Sequence, residues 1–124
     1  MEGIMEGIME GITIPDSIRC ELEEIGGIGG IVKLLPDASK IEAIASIMSV
    51  LSDPVRLRVL LALRIQPMCV CLLVAMTGYA YSKMSYHLSV LKEGGLICSR
   101  QEGNHLIYYA TDAGKKVTEW VKLF

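Results

Sequence analysis

The chain has 124 residues, a formal net charge of −2 and 52% hydrophobic residues, with a mean hydropathy of +0.44. That length suits one domain. The near-neutral charge does not announce a nucleic-acid binder, so any such role has to rest on where the charges sit. The longest unbroken apolar run, "MCVCLLVAM" (68–76), is far short of the ~20 residues that a membrane helix needs. No basic segment followed by an apolar core marks a secretion signal, so a cytoplasmic location with no membrane partner is expected. A small chain with surplus apolar surface usually covers it with a second copy, and a homodimer is expected.

In chain order, "MEGIMEGIMEGI" opens as a four-residue repeat that puts Ile4, Ile8 and Ile12 near one helix face. Its glycines each weaken a helix by about 1 kcal/mol. "EEIGGIGGIVKLL" (23–35) adds more glycine. Residues 1–35 are read as an irregular or partly helical N-terminal arm carrying Cys20, and residues 36–124 as the folded domain. "PDASKIEAIASIMSVLS" then places Ile41, Ile44, Ala45, Met48 and Leu51 at helical spacing. In "SDPVRLRVLLAL", Asp53 is suited to the N-cap and Pro54 to the first helical position. Leu57, Leu60, Leu61 and Arg64 continue the helical period up to Pro67.

A short apolar helix from about Val70 to Met76 stops at Gly78. The next helix, "YSKMSYHLSVLKEGG", turns Met84, Leu88 and Leu91 inward and closes on Gly94 and Gly95. The period then changes to two. "LICSRQ" and "HLIYYA" are short strands around the glycine turn "EGN" (102–104). Thr111 caps a last helix with an apolar stripe of Val117, Trp120, Val121 and Phe124. This order is mainly α with a small β-hairpin, a dimeric winged helix-turn-helix.

A short helix, a glycine turn and a second helix form the arrangement that lays a helix in the major groove of double-stranded DNA. The outward residues of the second helix are Ser82, Lys83, Ser85, Tyr86 and His87, none of them acidic. Such groups reach base edges and phosphates without charge repulsion. The hairpin adds Arg100, Gln101, Asn104 and His105 for contact with the backbone or minor groove. Between Tyr81 and His105, three cations (Lys83, Lys92, Arg100) face two carboxylates (Glu93, Glu102), so this face is mildly basic. No Ser/His/Asp set, phosphate loop or carboxylate cluster points to an enzyme.

From about Leu35 to Lys122 the chain resembles the ArsR/SmtB family of metal- and thiol-responsive transcriptional repressors. The residues that carry the resemblance are "LSDPVRLRVLLAL", "MCVCLLVAMTG", "YSKMSYHLSVLKEGGLI" and "SRQEGNHLIYYATDAG". It implies a dimeric repressor that leaves its operator when an inducer binds, paired through "IEAIASIMSVL" and "VTEWVKLF". It also implies that "CVC", leading into the first helix of the helix-turn-helix, is a thiolate inducer site. DNA binding then requires no cofactor, and a soft metal or metalloid ion acts as inducer.

Mid-helix, residues two apart point about 200° from each other, so Cys69 and Cys71 need an irregular helix start to share one ion. Pro67 provides one, and free amides there favour thiolate. Two such thiolates suit As(III), Sb(III), Cd(II), Pb(II) or Zn(II) and poorly suit Mg(II) or Ca(II). Where some relatives carry a third cysteine, this chain has Val74. Others borrow a cysteine from an N-terminal arm, which makes Cys20 the expected third ligand. A second family site on the last helix is not expected, since no histidine follows His105 to join Asp112 and Glu119. Cys98 is read as a small core residue. Two alternatives stay open: a thiol redox or persulfide-sensing repressor on the same scaffold, and a winged-helix protein-interaction module with structural zinc.

Overall fold

The computed structural model describes residues 12–124, and the chain divides into two compact units, Met1–Glu42 and Ala43–Phe124. In the first, the described elements are α1 (Asp16–Glu24) and α2 (Gly27–Leu34). Two helices thus stand in the segment read as an irregular or partly helical arm. The repeat positions Ile4 and Ile8 lie outside the described residues. The glycines of 26–30 serve a tight turn between α1 and α2. Gly26 caps α2 at φ 92°, and a Cβ at Gly30 would run into the Ile25 carbonyl. Glycine therefore marks a required backbone approach here, not the loss of helix.

The helix α3 (Ala38–Leu51) contains the division between the two units. The second unit continues with α4 (Pro54–Ile65), β1 (Met68–Cys69), α5 (Val70–Thr77), α6 (Tyr81–Glu93), β2 (Ile97–Glu102), β3 (His105–Ala110), α7 (Asp112–Val117) and a 3₁₀ segment, Glu119–Leu123. Val59, Leu60 and Leu63 of α4, Leu73 of α5, and Met84, Leu88 and Leu91 of α6 form the core with Leu96, Ile97 and Ala110. The inward face of α6 is the expected one. That of α4 is rotated: Val59 and Leu63 are buried, while Leu57 and Leu61 are only partly so.

The sheet has three antiparallel strands in the order β1-β3-β2, one more than the expected hairpin. Met68 pairs with Tyr108 and Cys69 with Ile107. Inside an unbroken apolar run, a two-residue strand leaves no periodic signal. The last helix also differs. It ends at Val117, and the chain tightens into the 3₁₀ segment, so Trp120 and Phe124 do not continue one α-helical stripe. Fully buried Thr118 sits at the change, its hydroxyl bonded to the Gly114 carbonyl at 2.8 Å.

Two caps fix how the core helices start. Asp53 Oδ1 accepts from the Val55 and Arg56 amides at 2.8 and 3.3 Å. Burial pushes the Asp53 carboxyl up, but the Arg56 and Val55 amides and the nearby His87 and Arg56 outweigh it, so its pKa is lowered. The carboxylate therefore stabilises the fold above its unfolded pKa, and that contribution is lost as pH falls through the lowered value. Asp53→Ala is expected to cost about 1 kcal/mol near neutral pH. The gap to wild type in urea melts should narrow as acidification takes the pH below the ordinary carboxylate range. At the other end of the unit, Thr111 Oγ1 accepts from the Gly114 amide at 3.1 Å and donates to the Gly95 carbonyl at 2.7 Å. One hydroxyl thus caps α7 and fastens it to the turn that follows α6.

Candidate nucleic-acid interface and thiol site

The helix pair α5 and α6 is joined by a turn at Gly78, which closes α5 at φ 77° while its amide donates to the Val74 carbonyl. Burial of Met84, Leu88 and Leu91 on one side of α6 leaves Ser82, Lys83, Ser85 and Tyr86 exposed on the other. Tyr86 is 61% exposed. At the tip of the hairpin, Gly103 takes φ 58°, and Asn104 and His105 are exposed beside it. Gln101 Nε2 donates to the Gly103 carbonyl at 3.0 Å, so it braces the turn. Arg100 is turned along the hairpin, 5.7 Å from the Tyr109 ring centroid and 3.4 Å from the Glu102 carboxylate.

His87, expected among the outward residues, is half-buried against α4. Its Nδ1 lies 3.4 Å from Arg56 Nη1. Arginine only donates, so Nδ1 is the acceptor. Arg56 also donates from Nε to the Val50 carbonyl at 2.6 Å and lies 3.8 Å from the Asp53 carboxylate. One guanidinium therefore links the end of α3, the cap of α4 and the middle of α6. Sequence reading missed it because His87 lies far along the chain from Arg56, in a different helix. Arg56→Ala would leave the Val50 carbonyl and the ring nitrogen without this donor. A loss of about 1–3 kcal/mol in urea unfolding is expected.

The thiols occupy the junction of β1 and α5. Cys69 ends the strand and stands at the N-cap of α5, with extended backbone at φ −78° and ψ 164°. As a thiol it makes no cap hydrogen bond. The Leu72 amide nevertheless favours its ionised form, with help from the Cys71 thiol and the Cys69 and Cys71 amides, and together they outweigh burial and lower its pKa. This is the helix-start effect on a thiol. Cys71 is exposed in the first turn. The two thiols thus stand at a strand end and a helix start, where the backbone is not held to the ~200° separation of mid-helix positions.

Tyr81, the first residue of α6, belongs to the same cluster. Hydrogen bonding to Cys71 and the charge of that sulfur push its phenol pKa up, followed by burial and the charge of Cys69. The thiol pair therefore borders the N-terminus of α6. The sequence carried no signal for this, since Tyr81 reads simply as a helix start.

Cys20 is exposed on α1, in the first unit. Among the described residues, no three His, Cys, Asp or Glu side chains converge into a metal-sized group. Cys98 is half-buried on β2, not in the core. Hydrogen bonding from the Tyr109 hydroxyl, then from the Ser99 backbone, and the charge of Lys92 lower its pKa against the effect of burial. Among the described residues, no helix is long and apolar enough to cross a membrane.

Residues 53–99 match the profile of the bacterial regulatory protein, arsR family. An HTH-type transcriptional regulator of Methanocaldococcus jannaschii is 35% identical over 68% of this chain and 93% of its own length. A transcriptional repressor SmtB homolog of Synechocystis is 32% identical over 78% of this chain and 71% of its own length. Among solved structures, the homodimeric winged helix-turn-helix DNA-binding domain of a possible ArsR-family regulator from Mycobacterium bovis superposes with a TM-score of 0.60. It is 29% identical, over 69% of this chain and 78% of that one. The fold is a winged helix, and the relatives are regulators, not enzymes. The chain belongs to the ArsR family of transcriptional regulators.

Proposed function

We propose that the chain is a dimeric cytoplasmic repressor that binds operator DNA through α6 and the hairpin. A soft metal or metalloid ion held by Cys69 and Cys71 releases it. The observation that carries this reading is the position of the thiol pair, between the N-cap of α5 and the first residue of α6. Drawing both sulfurs onto one ion shifts the start of α5 and the Tyr81 contact together. A small tilt of α6 is enough, because the two half-sites of an operator must be met at once.

The donor set fits the ion class. Two sulfurs, one already biased toward thiolate, prefer As(III), Sb(III), Cd(II), Pb(II) or Zn(II) over hard cations. The third ligand is Cys20, supplied by the same chain or by the arm of a second copy. When bound, the ion supplies strong thiolate bonds; the chain supplies orientation and the link to α6. Dimerisation is supported by apolar side chains left uncovered in the second unit and on α3. Ile41, Ile44 and Met48 are 44%, 41% and 65% exposed, and Trp120 and Phe124 are 48% and 97% exposed. The matched Mycobacterium bovis domain is itself described as homodimeric.

Operator contacts are assigned to Ser82, Lys83, Ser85 and Tyr86 on α6 and to Arg100, Asn104 and His105 on the hairpin, with His87 set back against Arg56. Lys83→Ala tests this assignment. It should weaken binding to operator and unrelated duplex alike and reduce the slope of log affinity against log salt by about one. Fluorescence anisotropy across a salt series reads both. An unchanged slope removes Lys83 from the interface.

The lowered pKa of Cys69 also favours a thiol redox sensor on the same scaffold. That reading predicts release by oxidant, with a reversible disulfide seen by mass spectrometry and no thiolate-dependent ion binding. A module with structural zinc predicts instead that chelator unfolds the protein and that no operator is bound.

A further inference from the structure

A second feature of the same unit has no part in the thiol site. Where β1 leaves the end of β3 uncovered, a cleft of about 310 Å³ opens between the end of α4, the start of α7 and the hairpin. That volume lies at the small end of ligand-binding cavities. Its walls carry Arg64, Arg100 and Lys115, together with Tyr109 and Gln66, over a floor that includes Leu63 and Ala110.

Three cations around one cleft repel one another unless something negative joins them. Two carboxylates answer only in part. Arg64 Nη2 lies 3.5 Å from Glu119, and Arg100 Nε lies 3.4 Å from Glu102, both longer than a charged hydrogen bond. Arg64 is oriented by Nη1, which donates to the Thr118 carbonyl at 2.9 Å and to its hydroxyl at 3.1 Å. Arg100 is held over the Tyr109 ring. Among the described residues, no carboxylate is within 4.0 Å of Lys115. Two guanidinium groups are thus held by other contacts, and the exposed Lys115 lines the same cleft. Guanidinium pairs of this kind bind oxyanions through several N–H donors at once.

We propose that this cleft binds a small oxyanion, a carboxylate or phosphate compound small enough to enter 310 Å³, with Arg64, Arg100 and Lys115 as its ligands. No residue of α5 or α6 lines it, so its occupant is separate from the reading helix and the thiols; Arg100 is shared with the proposed hairpin contacts to operator, whereas Arg64 and Lys115 belong to the cleft alone. The proposal does not depend on release by a soft ion. Gln66 and Pro67 form the cleft's link to the rest of the molecule, since they lead directly into β1 and Cys69.

The test is calorimetric titration of the full chain with inorganic phosphate and with citrate, at constant ionic strength, with chloride as control. Saturable binding of one or both anions is expected. Lys115→Gln and Arg100→Gln should each weaken it by about tenfold, the effect of losing one charged contact worth about 1.4 kcal/mol. Lys115 is exposed, so its variant should fold normally, as circular dichroism will verify. Operator affinity and its salt slope should be unchanged in Lys115→Gln. Absence of saturable binding of both anions, or wild-type affinity in either variant, overturns the proposal. A reduced operator salt slope in Lys115→Gln, with phosphate displaced by duplex, also overturns it and gives these cations to the DNA backbone.

Discussion

Replacing Cys69 or Cys71 by serine is expected to abolish release of operator DNA by As(III) or Cd(II) while leaving operator affinity within about twofold of wild type. The serine hydroxyl keeps the size of the site but is a hard, poorly ionised donor, so the soft ion loses one of two bonds that hold it. Neither residue is in the core: Cys71 is exposed and Cys69 half-buried. Stability should therefore change little. Cys20→Ser distinguishes arm from pair. If Cys20 is the third ligand, its loss weakens the ion without removing the response, because Cys69 and Cys71 remain. The alternative in which "CVC" only packs predicts the reverse pattern, with lowered stability and an intact ion response. Anisotropy of labelled operator during ion titration, alongside urea melts of each variant, separates the two.

Gly114→Ala is expected to be among the most destabilising single methyl additions in the chain, at about 3 kcal/mol or more. A Cβ there would be driven into the Leu96 carbonyl oxygen and would stand 3.1 Å from Leu60 Cδ1. The obstacle is backbone that also accepts from the Thr111 amide at 3.1 Å, so it cannot move without undoing the start of α7. Leu60 itself is 0% exposed, and Leu60→Ala should cost about 2–5 kcal/mol by leaving a cavity at the same junction. Gly78→Ala provides the contrast. Nothing lies within 4 Å of a Cβ at Gly78, and only its φ of 77° resists the change, so about 1–2 kcal/mol is expected. Urea denaturation should rank Gly114→Ala above Gly78→Ala. Equal losses would mean that α7 yields more easily than its packing indicates.

Much of this fold was legible because it is written in short-range signals. Asp53 and Thr111 act as the caps that their types and positions announce. Met84, Leu88 and Leu91 face inward as their spacing requires, and "EGN" turns the hairpin. What was not legible depends on contacts across the chain. The rotated face of α4 follows from where β3 and α6 sit, which a leucine-rich helix does not reveal. The strand at Met68 and Cys69 exists only because Tyr108 and Ile107 offer it partners. The end of α7 at Val117 reflects buried Thr118 and its bond to Arg64, not any helix-breaking residue.

The sites divide in the same way. Ser82, Lys83, Ser85 and Tyr86 are exposed as the helical period required. His87 has the same period but lies within reach of Arg56, a partner the period cannot show. For the thiols, spacing and Pro67 pointed to an irregular helix start, and the chain does place Cys69 at the N-cap. Tyr81 beside Cys71 emerged only from the fold. The charge of the Cys71 sulfur bears on Tyr81 at the start of α6, and that is the link through which the proposed release would act.

Thermodynamic reciprocity offers the most direct measurement of that link. If an ion on Cys69 and Cys71 weakens operator binding, operator must weaken ion binding by the same factor. The Cd(II) affinity of the free protein and of the operator-saturated protein, followed by thiolate charge-transfer absorption against a competing chelator, should differ by at least about tenfold, a coupling of about 1.4 kcal/mol. Equal affinities in the two states would contradict the coupling, however tightly the sulfurs hold the ion.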